Sequence, residues 1–428
     1  MTAGHSHGHG EPSWVPPAQI GRSLWIAVAT WAVLTVVGLV LLWPSNSSTD
    51  SNAIDPTVKG YVVAATVQPC TGTAVSDLVE CRVLTVQLVG GQFDGEQTNL
   101  ELGITSGKGK QPEVGDDLVL TATRLSDGTT IYNFADYERS SALWVLAVLF
   151  AVVVVSFGRW RGVGALAGLA ISVAVLVTFV LPALLAGSNP VVVAIVGASV
   201  IAFASLYLAH GFSASTNVAL LSTLAALGLT GVLAWAFIEF TSLSGLSDEN
   251  TLFLDTLGVN LDPRGLLLAG IVIGSLGVLD DVTVTQVSAV SELHRTRPEA
   301  TFAELYRSAL VIGRDHISST VNTLFLAYAG AALPLLLLFT EVRQAIATTA
   351  TRELVAVEIV RTLVGSIGLV ASVPIATALA AAVVTKREVT TPLAGAPDEA
   401  VGVDAEVGEA LDATDVVDRP DLVVDDGQ

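Results

Sequence analysis

Charge is scarce in this 428-residue chain: Asp, Glu, Lys and Arg make up 14% of it, against about 25% in soluble domains. With 52% hydrophobic residues and a mean hydropathy of +0.66, a soluble globular protein is excluded. Basic residues are scarcer still, 20 Lys and Arg against 40 Asp and Glu, for a formal charge of −20. That excludes a phosphate-backbone footprint, which needs clustered cations, so nucleic acid is not expected as a partner. The only two cysteines, Cys70 and Cys81, cannot build a four-ligand zinc site.

Soluble-enzyme motifs are missing too. Gly103-Ile-Thr-Ser-Gly107-Lys108-Gly109 has the wrong spacing for a phosphate-binding loop and lacks the hydroxyl after the lysine. Gly162-Val-Gly164-Ala-Leu-Ala-Gly168 opens an apolar run instead of following a strand, so close helix packing explains it better than dinucleotide binding. No HExxH, GxSxG or kinase set occurs. We therefore expect no enzyme, no cofactor and no metal site.

What the chain does contain is apolar runs near the ~20 residues that cross a bilayer. They lie at 23–43, 142–157, 163–185, 191–207, 216–240, 266–285, 317–340 and 359–385, which makes eight expected spans. The first reads as an uncleaved signal anchor, with Trp25 and Trp43 about 27 Å apart along a helix, one at each interface. If the spans alternate, Arg22, Arg159, Arg161, Arg295, Arg297, Arg307, Arg314, Lys386 and Arg387 share one side, which is then the cytoplasm. The chain is expected to be multi-pass in a bacterial plasma membrane with both termini inside.

The organisation expected from this is a disordered leader over 1–22, the anchor over 23–43 and an extracytoplasmic β domain over 44–140. A seven-span domain over 141–387 and a disordered acidic tail over 388–428 follow. The tail holds twelve acids against one base, Arg419. Five β-rich stretches at 59–66, 79–89, 97–104, 117–123 and 129–134, punctuated by turn signals such as Ser126-Asp127-Gly128, predict a small OB-like barrel. Cys70 and Cys81 end its first two strands on the oxidising side and are expected to form a disulfide worth roughly 3 kcal/mol; two buried thiols are the alternative. The run His5-Ser-His7-Gly-His9 has metal-binding composition, but flexible ends usually carry no fixed role.

Chemistry is most legible where polarity enters the bilayer, because an ionisable group there is costly unless it faces protein or water. In the sixth span Gly270, Gly274, Gly277, Asp281, Thr285 and Ser288 recur at three or four residues and share one helix face. Asp280 lies about 100° away round the helix, so Asp281 is the favoured site residue and Asp280 the secondary one. In the seventh span Ser319, Asn322 and Thr323 face inward one turn beyond Arg314, Asp315 and His316. The expected site is Asp281 against Ser319, Asn322 and Thr323, with Arg314, Asp315 and His316 as gate or counter-charge. The plainer alternatives are carboxylates solvated at the membrane rim and side chains that only tie helices together. Glu239 and His210 read as interfacial residues. Thr296-Arg297-Pro298-Glu299 fits a capping box for an amphipathic helix near 297–312, either a partner dock or an interfacial brace.

The block Gly274-Ser-Leu-Gly277-Val-Leu-Asp280-Asp281-Val-Thr-Val-Thr, followed by Ile312-Gly-Arg-Asp315, Asn322-Thr-Leu-Phe-Leu-Ala-Tyr-Ala-Gly330 and Leu333-Pro334, resembles the signature of the YibE/F-like family of bacterial membrane proteins. The resemblance implies several transmembrane helices, often with an N-terminal β-rich region outside the membrane. Asp281 matches that family's aspartate, and Asp280 stands where an apolar residue is usual. His316-Ile-Ser-Ser319 departs from the family's usual continuation. The leading functional expectation is a transporter or permease, proton- or ion-coupled, whose partners are the lipid bilayer and an unidentified small solute or ion. Its competitor is a non-transporting scaffold whose external domain binds an envelope component or partner protein.

Overall fold

The computed structural model describes residues 18–44, 57–69, 80–90, 93–103, 110–125, 129–247, 249–256, 262–341 and 346–385. The histidine run, Cys70 and the acidic tail lie outside the described residues, as does the expected Cys70–Cys81 pairing.

Five strands follow the first helix: β1 (Thr57–Pro69), β2 (Glu80–Val89), β3 (Gln97–Gly103), β4 (Asp117–Arg124) and β5 (Thr130–Tyr137). Each coincides with one of the expected stretches. They form one antiparallel sheet in the order β3-β2-β1-β4-β5. β1 is long enough to pair β2 through Lys59–Pro69 and β4 through Thr57–Tyr61, with a bulge after Val62. A bulged strand bends and twists more strongly, and the sheet curls into a half-barrel. Alternate residues turn inward: β2 buries Leu84, Val86 and Leu88 while Thr85 and Gln87 stay partly exposed. Leu100, Leu118, Leu120 and Tyr132 complete this core. No ladder between β3 and β5 closes the barrel among the described residues. At the end of β5 a Lys59–Glu138 ion pair of 3.0 Å and an Arg139–Asp136 pair of 2.8 Å lead into the next helix.

Six helices among the described residues are long and apolar enough to cross a membrane, where eight runs were expected. The anchor forms α1 (Ala18–Leu41). It packs on α4 (Pro190–His210): Trp31 Nε1 donates to Ser199 Oγ at 3.1 Å, and a Cβ at Gly38 would lie 2.6 Å from Val196 Cγ2. The second and third runs both fall in α2 (Ser140–Val175), continued by a π-helical turn and α3 (Leu181–Leu185). This helix is broken at Arg159, where φ is 49° and ψ −130°. A Cβ on Gly162 would come within 2.4 Å of the Val154 carbonyl oxygen. In a straight helix those residues are about 12 Å apart, so the chain folds back at Arg159.

The seventh run is also divided, into α8 (Phe302–Ala331) and α9 (Leu333–Glu341), and neither counts among the six. Arg314, Asp315 and His316 make the first half polar, and Pro334, which has no N–H, ends the hydrogen-bond ladder. The expected short amphipathic helix is the first part of α8. Its capping box is Thr301 with Glu304, not Thr296 with Glu299: Thr301 N donates to Glu304 Oε2 at 2.8 Å, and Glu304 N donates to Thr301 Oγ1 at 3.4 Å. The shift arises because α7 (Pro263–Thr296) runs on through Thr296.

At the centre α5 (Ala214–Phe240), α7 and α11 (Glu353–Thr385) pack closely, the short α6 (Glu249–Thr256) preceding α7 and α10 (Ile346–Ala350) preceding α11 in the chain. Thr223 and Thr283 share a 2.6 Å hydroxyl bond between α5 and α7. Gln286, 3% exposed, donates from Nε2 to the Ala309 carbonyl and to Thr377 Oγ1, each at 2.8 Å, tying α7 to α8 and α11. A buried amide is retained when its bonds are made.

Candidate functional site

The small, polar stripe of α7 is one face, as its spacing requires: Gly270, Gly274, Gly277, Asp281, Thr285 and Ser288 are all exposed, while Ser275, Leu279, Val282, Thr283, Gln286 and Val290 on the other side are buried. The middle of this stripe does not pack tightly on α8. It borders a cavity of about 570 Å³ between α7, α8 and the end of α4. Asp280, Asp281 and Thr285 line it from α7, His316, Ser319, Thr320 and Thr323 from α8, and His210 from α4. A Cβ at Gly277 would meet nothing within 4 Å, so the glycine widens the space.

The two carboxylates have different surroundings. Asp281 is exposed to the cavity, and among the described residues no hydrogen bond joins it to Ser319, Asn322 or Thr323. Thr320 and Thr323 instead return their hydroxyls to the carbonyls of His316 and Ser319, one turn back on α8. Asp280 is half-buried and turns toward α4, where Ser205 Oγ donates to its Oδ2 at 3.0 Å. Its Oδ1 is buried and has no hydrogen-bond partner. Ser205 Oγ also lies 3.3 Å from the Ala202 carbonyl. One hydroxyl proton therefore serves two acceptors, and the carboxylate is short of donors. Its main chain is held as well: Thr283 Oγ1 donates to the Asp280 carbonyl at 3.0 Å.

The structure thus brings together Asp280, Asp281, Ser319, Thr323 and His316 from the expected set. It leaves Asn322, Arg314 and Asp315 exposed and outside the cavity lining. Asn322 is one helical step, about 100°, from Thr323 and faces away. Two participants were missed. Ser205 carried no signal, being an ordinary serine in an apolar helix. His210 was set aside as interfacial, yet it lines this cavity and a smaller one of about 110 Å³ with Ser215, Thr216, Ser288 and Ser291. Among the described residues no group of three His, Cys, Asp or Glu side chains is placed to hold a metal ion.

Apolar helices packed side by side, an ionisable pair sheltered among them and a separate curled sheet define a multi-pass α-helical membrane protein. The chain belongs to the YibE/F-like family, whose model matches residues 146–386, more than half of its length. No curated protein and no solved structure matches it.

Proposed function

We propose that this YibE/F-like protein is a transporter or permease, proton- or ion-coupled, and not an enzyme. The observation that carries the reading is the buried, unpartnered Oδ1 of Asp280 beside the open carboxylate of Asp281, both residues lining one cavity of about 570 Å³. A bare carboxylate oxygen held away from water is costly. A proton or a cation relieves that cost. If Asp280 carries the proton on Oδ2, it donates to Ser205 Oγ and frees the serine to donate to the Ala202 carbonyl, which removes the buried charge and leaves Oδ1 a neutral carbonyl oxygen. Asp281, Ser319 and Thr323 then line the solute's path, and His210 and His316 are the nearby bases. Arg314 and Asp315, exposed on α8, serve as a gate pair at the cytoplasmic mouth.

The reading includes eight crossings of the bacterial plasma membrane with both termini inside: the fold-back at Arg159 supports two crossings within α2, and α8 with α9 supplies another. The sheet then lies outside as an OB-like domain, which its strand order supports, with Cys70 and Cys81 paired. A scaffold that binds a partner protein needs no cavity beside its acids, so the space at Asp281 favours transport. The test is flux in proteoliposomes across a panel of ions and small metabolites, with and without a pH gradient. Asp280→Asn and Asp281→Asn are expected to abolish gradient-driven flux while the protein stays folded. Flux that survives both substitutions unchanged would refute the coupling role.

A further inference from the structure

A second cavity, of about 440 Å³, lies at the other end of α7. Leu266 and Leu267 of α7, Thr251, and Val357, Glu358 and Arg361 of α11 line it. Glu358 and Arg361 form a 2.8 Å ion pair, each about one-third exposed, and Arg361 Nε is buried without a partner. Along α7 the linings end at Leu267 and begin again at Gly277, a gap of ten residues or about 15 Å.

Three helices approach one another at one level within that gap. On α7 it is Gly274 and Ser275; on α8, Leu324 and Tyr328; on α11, Gly365. A Cβ at Gly274 would lie 3.4 Å from the Tyr328 hydroxyl, and one at Gly365 would lie 3.4 Å from Ser275 Oγ and 3.9 Å from Leu324 Cδ2. Leu324 and Ala327 belong to the lining of the first cavity, and Tyr328 follows them directly. On α11, Arg361 is one turn from Gly365, and Tyr328 lies close enough to feel the charges of Glu358 and Arg361. The barrier is thus one aromatic ring and one leucine set against two glycines and a serine. Small residues opposite a single large ring leave room for the ring to swing without repacking a core.

We infer that the two cavities are the two vestibules of one route for a small cation, and that Tyr328, seated against Gly274, is the gate between them. This rests on the transport reading and extends it. Two carboxylates in the first vestibule give it a negative field that concentrates cations. In the second, Glu358 neutralises Arg361, so the guanidinium does not repel a cation while the pair is closed.

The experiment reads access instead of flux. Gly277→Cys puts a thiol where a Cβ has free space, in the full-length protein in oriented vesicles. A membrane-impermeant maleimide is applied from one side at a time, and the modified peptide is identified by mass spectrometry so that Cys70 and Cys81 do not interfere. The expected result is labelling from one side only, with Tyr328→Ala raising the rate from the Glu358 side by about tenfold or more. Leu324→Ala is the second variant, expected to act in the same direction if Tyr328→Ala does not fold. Equal labelling from both faces with Tyr328 intact, or unchanged one-sided labelling in the folded variants, overturns the gate. Unchanged flux in Asp280→Asn and Asp281→Asn together with a gate that opens in Tyr328→Ala would sink the coupling reading alone. A panel in which only anions are carried would overturn the cation assignment.

Discussion

Two glycines in the site region are expected to respond oppositely to the same substitution. At Gly313 of α8 a Cβ would lie 2.5 Å from Val373 Cγ1 and 2.9 Å from Gln286 Oε1. Carbon atoms normally approach to about 3.5–4.0 Å, so the methyl overlaps its neighbour by about 1 Å. Neither neighbour yields readily. Val373 is 1% exposed and β-branched, with one strongly preferred rotamer in a helix, and Gln286 is pinned by its two bonds to Ala309 and Thr377. Overpacking of this kind costs about 1–3 kcal/mol. At Gly277 of α7 the same methyl meets nothing within 4 Å. Both glycines are interior helical positions, so the gain in helix propensity, about 0.5–1 kcal/mol where measured in water, largely cancels in the comparison. Gly313→Ala should therefore be less stable than Gly277→Ala by about 2 kcal/mol, or roughly 2 °C in midpoint for a chain of this size. Thermal unfolding of the two purified variants in one detergent, followed by tryptophan fluorescence, measures the difference. Equal midpoints, or Gly313→Ala the more stable, would show that α8 does not press on α7 and α11 at this point.

Other outcomes follow from single contacts. Gly368→Ala places a Cβ 2.0 Å from Thr230 Oγ1 in the α5–α11 seam and should destabilise by about 1–3 kcal/mol, with Thr230→Ala in the same chain restoring much of the loss. Thr301→Ala removes the side chain that caps α8 and should cost about 1 kcal/mol, visible as faster amide exchange over the first turn of α8. Hydrogen bonds from Ser140, and then the Lys59 ammonium, hold the Glu138 carboxyl down at about 2. Its folded value is thus below its unfolded one, so the contact's stabilisation is present above pH about 4.5 and is lost as pH falls toward about 2. In acid titrations of the full-length protein, Glu138→Gln should flatten the unfolding midpoint's dependence over that window, and an unchanged slope would exclude the contact as its source.

The strands were legible because a curled, one-sided sheet stamps a two-residue alternation on the sequence, and Leu84, Val86 and Leu88 carry it plainly. The α7 stripe was legible for the same reason at a period of 3.6. Span counting was legible only in part, since hydropathy registers composition and not connectivity. Nothing in Phe157-Gly158-Arg159-Trp160 distinguishes a loop from a helix that reverses at one left-handed residue. In α8 the polar residues near the site dilute the apolar signal of the span that carries them. The capping box was misplaced by five residues because Thr296 and Thr301 both precede a glutamate at the correct spacing, and only the exit of α7 selects between them. Ser205 lay beyond any local pattern. Its meaning comes from a helix 75 residues away.

The same reasoning explains why two adjacent acids are tolerated in one helix. Consecutive side chains diverge by about 100°, so on a helix with a neighbour on one side only, one of the pair must face acyl chains. That divergence argued at first for ranking Asp280 second to Asp281. In the bundle α7 has α4 on one flank and α8 on the other, and the angle between the acids sends Asp280 to Ser205 and Asp281 to the space before Ser319 and Thr323. Neither then depends on snorkelling to the membrane surface, and each can change its charge without the other leaving its partner. On the transport reading proposed above, the carboxylate on a protein neighbour would bind the proton and the one on the open cavity would line the path of the solute. One acid alone, in either position, would have to do both.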